Sequence, residues 1–211
     1  MIKIKTFVVN EFQVNAYVLH DETNQAVIID GAVKFDNEIN DLFAYIDKNQ
    51  LQVKYIISTH GHVDHVCGNI ILKEKYDVPV LMNSEDDFLI ESAVSHARVY
   101  GLDMEQPPKA DNSIEDNSEI KFGNSNLKCL LVPGHTPGSI AFYSDKDTFV
   151  ISGDALFSGS IGRTDLPKGD YATLINSINN KLMTLPENTK VYCGHGPETS
   201  IGYEKTSNPF L

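Results

Sequence analysis

Four times in this 211-residue chain a short apolar run stops and hands over to a histidine or aspartate beside a glycine. Tyr55-Ile56-Ile57-Ser58 leads into Thr59-His60-Gly61-His62-Val63-Asp64-His65, and Leu130-Leu131-Val132 leads into Pro133-Gly134-His135. Val150-Ile151-Ser152 precedes Gly153-Asp154, and Val191-Tyr192-Cys193 precedes Gly194-His195. Short apolar runs bounded by Gly and Pro read as buried strands. Strand ends and the loops after them are where α/β proteins place their sites. Four strand-terminal placements of nitrogen and oxygen donors therefore define one common rim.

The rest of the chain supplies the elements such a rim needs. Alternation predicts strands over 2–9, 13–19 and 26–30, an antiparallel opening. Ile39, Leu42, Phe43 and Ile46 have helical spacing and predict a helix over 37–46 with one buried face. A strand over 53–57, a helix running from near His65 to Tyr76 and a strand over 78–81 complete a βαβα succession. Residues 84–115 carry Asp, Ser, Asn and the Pro107-Pro108 pair, which break any long period, and read as a lid or connection with some helix. Strands follow over 119–122, 127–132, 139–144 and 148–152, then a helix over 171–184 and a strand over 189–192. Two sheets packed face to face with helices outside fit this order, as a single domain over 1–211.

Composition closes off other classes. A net charge of −12, with no cluster of Lys and Arg, disfavours nucleic acid, whose binding depends on cations that release counterions. No apolar stretch approaches the roughly 20 residues that span a bilayer, and Met1-Ile2-Lys3-Ile4-Lys5 opens a strand-like alternation, so a cytoplasmic protein with no membrane partner is expected. Cys67, Cys129 and Cys193 are odd in number and far apart, which suggests reduced thiols.

Five of the seven histidines lie in the strand-end segments, while His20 and His96 lie outside every motif and are assigned no role. A lone histidine is most often a satisfied structural residue. Five together, with Asp64 and Asp154, are a ligand set, because imidazole and carboxylate suit zinc, iron and manganese. The two-residue offset of His60 and His62 suits convergence on one ion, leaving Asp64 and His65 to face a second.

His-x-His-x-Asp-His at 60–65, Pro-Gly-His at 133–135, Gly-Asp at 153–154 and Gly-His-Gly at 194–196 resemble, in that order, the metallo-β-lactamase superfamily, and within it the glyoxalase II-like hydrolases. The resemblance implies an α+β fold, an αββα sandwich of two mixed sheets with the site along one edge. It implies a first metal site of His60, His62 and His135, a second of Asp64, His65 and His195, and Asp154 bridging two divalent ions, zinc first, with iron or manganese as alternatives. Lactamases proper commonly have cysteine where Asp154 stands, so hydrolysis of β-lactams is not expected. The segments from Phe157 to Asp165 and from Gly194 to Leu211 are similar to a short, single-domain glyoxalase II-like group, without the C-terminal helical domain of the long enzymes.

The implied activity is cleavage of a small-molecule thioester of the hydroxyacylglutathione type through a metal-bridging hydroxide, with Asp64 orienting the water. Arg163, in a glycine-rich loop beyond Asp154, can pair with a substrate carboxylate, or can brace its loop through Asp165 or Asp170. Thr59, Thr136 and Ser152 are candidates to hold the ligands in position. Gly162-Arg163-Thr164-Asp165 is also similar to persulfide dioxygenases, which implies an alternative in which His60, His135 and Asp154 hold a single iron. A non-catalytic metal module is the remaining class, opposed by seven ligands where a closed structural site needs four.

Overall fold

The computed structural model describes residues 1–211. In chain order the elements are β1 (Lys3–Val9), β2 (Val14–His20), β3 (Gln25–Ile29), α1 (Asp36–Lys48), β4 (Gln52–Ile57), α2 (Val63–Val66), α3 (Asn69–Tyr76), β5 (Val80–Met82), α4 (Asp87–Val99), β6 (Asn112–Ser113), β7 (Glu119–Phe122), β8 (Ser125–Leu131), β9 (Ile140–Ser144) and β10 (Phe149–Gly153). A small hairpin, β11 (Leu156–Phe157) with β12 (Ser160–Ile161), follows, then α5 (Tyr171–Ser177), β13 (Lys190–Cys193), β14 (Thr199–Ser200) and α6 (Ile201–Ser207). One sheet has the order β1-β2-β3-β4-β5-β6 and the other β14-β13-β10-β9-β8-β7. Both are mixed: β3-β4-β5-β6 are parallel in the first, and β10-β13 are parallel in the second.

Period-two side-chain alternation divides each strand between two cores. Tyr17, Leu19, Val27 and Ile29 face inward to meet Phe122, Leu127, Phe142 and Ile151 of the other sheet. The alternate residues Ala16, Val18, Ala26 and Ile28 face outward, where Leu42 and Ile46 of α1 and Leu72 of α3 cover them. On the far side Val150 and Val191 pack beneath Leu174 of α5 and Ile178 and Leu182 just beyond it. With both faces covered, β2 is buried along its whole length, its polar Asn15 and His20 included. The result is helix, sheet, sheet, helix, the α+β sandwich expected.

The two parallel pairs finish at one edge. Ile57 is level with Ile29, and Asp30 N–H donates to the Ile57 carbonyl at 2.8 Å. Cys193 is level with Gly153 after a register shift beyond Ile151, and Gly194 N–H donates to the Gly153 carbonyl at 2.8 Å. The sheets are stitched together at this edge: Asn15 N–H donates to the Gly194 carbonyl at 2.8 Å and the Tyr17 hydroxyl to the Cys193 carbonyl at 2.6 Å.

Three local expectations need revision. Residues 84–115 contain a regular 13-residue helix, α4, whose apolar Leu89, Ile90, Ala93 and Ala97 are buried; the Pro107-Pro108 pair lies beyond its end and breaks nothing within it. The single helix expected from His65 to Tyr76 is two, α2 and α3, separated at Cys67-Gly68. Gly68 lies so close to the backbone of Gly31 and Val33 that any Cβ would collide there. The helix over 171–184 runs as α5 and then continues as a wider turn over Ile178–Leu182. No helix is long and apolar enough to cross a membrane.

The inter-sheet core should dominate stability. Phe142→Ala is expected to cost about 3–5 kcal/mol, whereas Val8→Ala on the exposed edge strand should cost under about 0.5 kcal/mol. Urea unfolding of the two variants at equal metal content measures the difference; equal midpoints would contradict this core assignment.

Candidate metal centre

The rim foreseen from the sequence gathers His60, His62, Asp64, His65, His135, Asp154 and His195 in one place. Donor atoms group as His60, His62 and His135, as Asp64, His65 and His195, and as His60, His65 and Asp154, each trio within 4.8 Å. His62 Nδ1 lies 2.9 Å from His135 Nε2, and His65 Nε2 lies 3.2 Å from His195 Nε2. Two nitrogens bound at 2.0–2.1 Å to one tetrahedral ion sit about 3.4 Å apart, so these approaches are near ligand-pair spacing. Asp154 stands between the groups, with Oδ1 at 3.3 Å from His65 Nε2, and Oδ2 at 3.5 Å from His195 Nε2 and 3.6 Å from His135 Nε2. Asp64 Oδ2 is 3.3 Å from His195 Nε2.

Four of the five imidazoles are aimed from behind. Thr59 Oγ1 donates to Asp30 Oδ2 at 2.7 Å, which leaves its lone pair to accept from His60 Nδ1 at 3.0 Å. His65 Nδ1 donates to Asp30 at 3.0 Å, His135 Nδ1 to the Arg163 carbonyl at 2.8 Å and His195 Nδ1 to the Phe12 carbonyl at 2.9 Å. Four rings thus carry their proton on Nδ1 and turn Nε2 toward the centre, the arrangement that fixes metal-binding histidines. The buried His60 Nε2 and Asp154 Oδ1, on the inner side of the cluster, have no hydrogen-bond partner in the protein. Orphaned buried polar atoms are costly, and a cation between them removes that cost. The donor set fits divalent metal.

The electrostatics divide the centre. Burial, and then the neighbouring imidazoles, push His60 well below the ordinary histidine range and His62 down to about 3. Burial also opposes charge on His65 and His195, but Asp154, Asp30 and Asp64 outweigh it at His65, which lies well above the usual range. Asp154 and Asp64 likewise lift His195 to about 9. Burial alone would raise Asp154, yet His65 and His195 hold it well below the carboxylate range. His60 and His62 are thus ready-neutral, and the second trio is a balanced imidazolium–carboxylate cluster whose protons a metal displaces.

Two carboxylates that sequence reasoning passed over hold the loops. Asp30, fully buried, also accepts from Thr59 N–H at 2.7 Å. Its signal was present, since Ile28-Ile29-Asp30-Gly31 is another strand run ending in Asp and Gly. Asp86, also fully buried, accepts from Gly61 N–H at 2.9 Å, Gly138 N–H at 2.8 Å and Thr136 Oγ1 at 2.7 Å, so it ties the His60–His65 segment to the loop of His135. Its contacts span 50 residues or so of sequence, which no local pattern reveals. Of the three candidate positioning residues, Thr59 touches a site imidazole and Thr136 touches Asp86. Ser152 instead donates to the Leu156 carbonyl at 2.8 Å.

Arg163 lies on the wall of the cleft over the centre, with its guanidinium gripping Asp165 at 2.7 and 2.8 Å, the bracing arrangement weighed for it. His20 pairs with the Tyr45 hydroxyl at 3.0 Å, away from the cluster. His96 lines the cleft, although no motif pointed to it. Burial pushes the Cys67 thiol up to about 12, and Cys129 and Cys193 are buried, so all three thiols are inert.

A family model described as metallo-beta-lactamase superfamily matches residues 9–195. The chain is similar to hydroxyacylglutathione hydrolase GloC of Haemophilus influenzae, with 39% identity over 100% of this chain and 98% of that protein. Among solved structures it is similar to the BLEG-1 B3 metallo-beta-lactamase, with a TM-score of 0.90 and 35% identity over 99% of both chains. It is also similar to TTHA1623 in a di-iron-bound form, with a TM-score of 0.89 and 37% identity over 98% of this chain and 100% of that one. With its two-sheet architecture, its rim of histidines and aspartates and these matches, the chain belongs to the metallo-β-lactamase superfamily.

Proposed function

We propose that this chain is a binuclear metallohydrolase that cleaves an acyl thioester of the hydroxyacylglutathione type. The observation that carries the reading is the pairing of two complete donor trios, His60/His62/His135 and Asp64/His65/His195, with Asp154 between them. The likeness to a hydroxyacylglutathione hydrolase supports the thioester, and the likeness to a di-iron form supports two ions. Zinc is the metal proposed first; iron and manganese suit the same donors.

Two ions held here would lower the pKa of a water toward neutrality and polarise a carbonyl oxygen. The protein's part is to position. His60, His62 and His135 offer imidazole nitrogens at one end, and Asp64, His65 and His195 hold the other, with Asp154 as the shared carboxylate. Asp64 is 17% exposed at the cleft floor, where it can accept a hydrogen bond from a water and aim it. The thiolate leaves without an acid, since the conjugate thiol has a pKa near about 8.5. Arg163 can take a substrate carboxylate only by exchanging it for Asp165, and that exposed pair is of the weak kind.

The likeness to BLEG-1 favours a second reading, hydrolysis of β-lactams by the same centre. Nitrocefin turnover compared with S-lactoylglutathione turnover discriminates between the two. The zinc-loaded protein is expected to release thiol from S-lactoylglutathione without consuming oxygen, and the iron-loaded protein to do the same. Activity confined to the iron form, with oxygen consumed on a glutathione persulfide and thioesters left intact, would replace the hydrolase by the single-iron dioxygenase.

Elemental analysis should approach about two first-row metals per chain. His65→Ala should remove about one equivalent and lower hydrolysis more than roughly a hundredfold. Wild-type stoichiometry in this variant would break the ligand assignment. Asp30→Asn keeps the shape but weakens the acceptor behind His65 and Thr59, and should lower metal affinity about 10–100-fold in chelator competition. Unchanged affinity would show that the Asp30 contacts serve the fold alone.

A further inference from the structure

The cleft over the metal centre has about 290 Å³, at the small end of the about 300–1,000 Å³ typical of ligand sites. One wall is a stripe of α4. Leu89, His96 and Tyr100 lie seven and eleven residues apart in register, so they fall on one face, with Val99 beside them. Phe12 and the Leu166-Pro167 pair line the same cleft. Phe12 and Tyr100 meet edge to face at 6.1 Å between ring centres, and Phe12 is the residue whose carbonyl fixes His195. The apolar wall is therefore continuous with the proposed second metal site.

Val99 is 80% exposed and Tyr100 51% exposed, an unusual outlay of apolar surface unless something covers it. Cations near this wall are engaged or turned away. Arg163 is held by Asp165, and Lys168, next to Pro167, lies over the Phe88 ring at 3.8 Å. Arg98 is two residues from His96, about 200° around the helix. His96 is half-buried in the wall and its imidazole makes no hydrogen bond within the protein, which leaves it and the exposed Tyr100 hydroxyl as the free polar groups along the stripe.

We propose that this face of α4 is the leaving-group subsite, that it takes a neutral, largely apolar thiol arm instead of the two carboxylates and ammonium of glutathione, and that His96 supplies a specificity-determining hydrogen bond along it. The inference rests on the thioester hydrolase reading, in which the acyl group is short and the cleft serves the thiol, and it narrows the thiol half of that reading: S-lactoylglutathione is still cleaved, but as the substrate of higher KM.

The test compares two lactoyl thioesters with the zinc-loaded protein, those of glutathione and of N-benzoylcysteamine, together with their non-hydrolysable thioether analogues in calorimetry. KM for the neutral aromatic thioester should be about tenfold lower, the scale of discrimination that apolar complementarity in a pocket supplies. Tyr100→Ala should raise that KM about tenfold, and His96→Ala about fivefold with His96→Gln restoring most of it, the loss falling on KM rather than kcat and metal content staying at the wild-type value. Both positions are partly or largely exposed, so folding is not at stake. A lower KM for the glutathione thioester, or variants that move neither KM, overturns the subsite. If neither thioester is cleaved, the hydrolase reading has failed, and calorimetry decides the subsite by itself. Tighter binding of the neutral thioether, weakened by Tyr100→Ala, sustains it; equal or reversed affinities overturn it.

Discussion

The Asp30 carboxylate is the contact on which the arrangement of the site depends. It stands where β3 ends, and it receives the backbone and hydroxyl of Thr59 from the end of β4 and the imidazole of His65 from the start of α2. One buried anion thereby sets the turn out of β4, the tautomer of His60 through Thr59, and the orientation of His65. A fully buried carboxylate is expensive unless its oxygens are occupied, and here three donors occupy them. The cost of burying Asp30 is thus converted into position. The parallel pairing of β3 with β4 makes this possible, because it brings both C-terminal ends to the same level.

The two sheets contribute different ligands, so their relative placement has to be fixed at the rim as well as in the core. Leucine, isoleucine and phenylalanine side chains between the sheets give cohesion without direction. Directional contacts sit at the edge: Asp86 bridges Gly61 to Thr136 and Gly138, and Ile140 N–H donates to the Thr59 carbonyl at 2.8 Å. The Asn15 side chain donates to the carbonyls of Cys193 and Gly196 at 3.0 and 2.9 Å. Glycine is required where these loops touch, since a Cβ on Gly194 would collide with the Asp154 carboxylate. Polar networks of this kind, once satisfied, specify one geometry more strictly than apolar packing does.

Much of the site was legible in the sequence because each of its four segments is local. A strand, a glycine and a ligand lie within about six residues of one another, and the order of the segments carries the pairing. The fold was legible for the same reason: alternation marks the strands, and the spacing of Leu42 with Ile46 marks α1. What escaped was long-range or masked. Asp30 is a single carboxylate whose partners lie 29 and 35 residues on, and Asp86 has partners 25, 50 and 52 residues away. The helix α4 was obscured because the turn-forming residues around it mask the spacing of Leu89, Ala93 and Ala97. Some helix was expected over 84–115, but without its bounds and register His96 had no role, since its place is defined only once α4 lines the cleft.

The unequal character of the two halves follows from which sheet edge supplies what. His60 and His62, which burial keeps neutral, form an all-imidazole group with His135 arriving from the second sheet. Asp64, His65 and His195 form a mixed group, and Asp154 adds a second carboxylate closest to His65. A divalent cation is offered three imidazoles and the shared Asp154 on one side, and on the other two imidazoles with Asp64 as well as Asp154. Oxygen donors accommodate harder ions and nitrogen donors suit zinc, so the pair as a whole selects weakly among first-row metals. The selectivity of such a centre toward its substrate must then come from the surfaces above it. Here those surfaces are largely apolar along α4, with His96 set among Leu89, Val99 and Tyr100, in a chain whose overall charge is strongly negative. The acidic exterior repels anions at long range, and a wall without free cations gives them no anchor at short range, so field and cleft disfavour the same ligands.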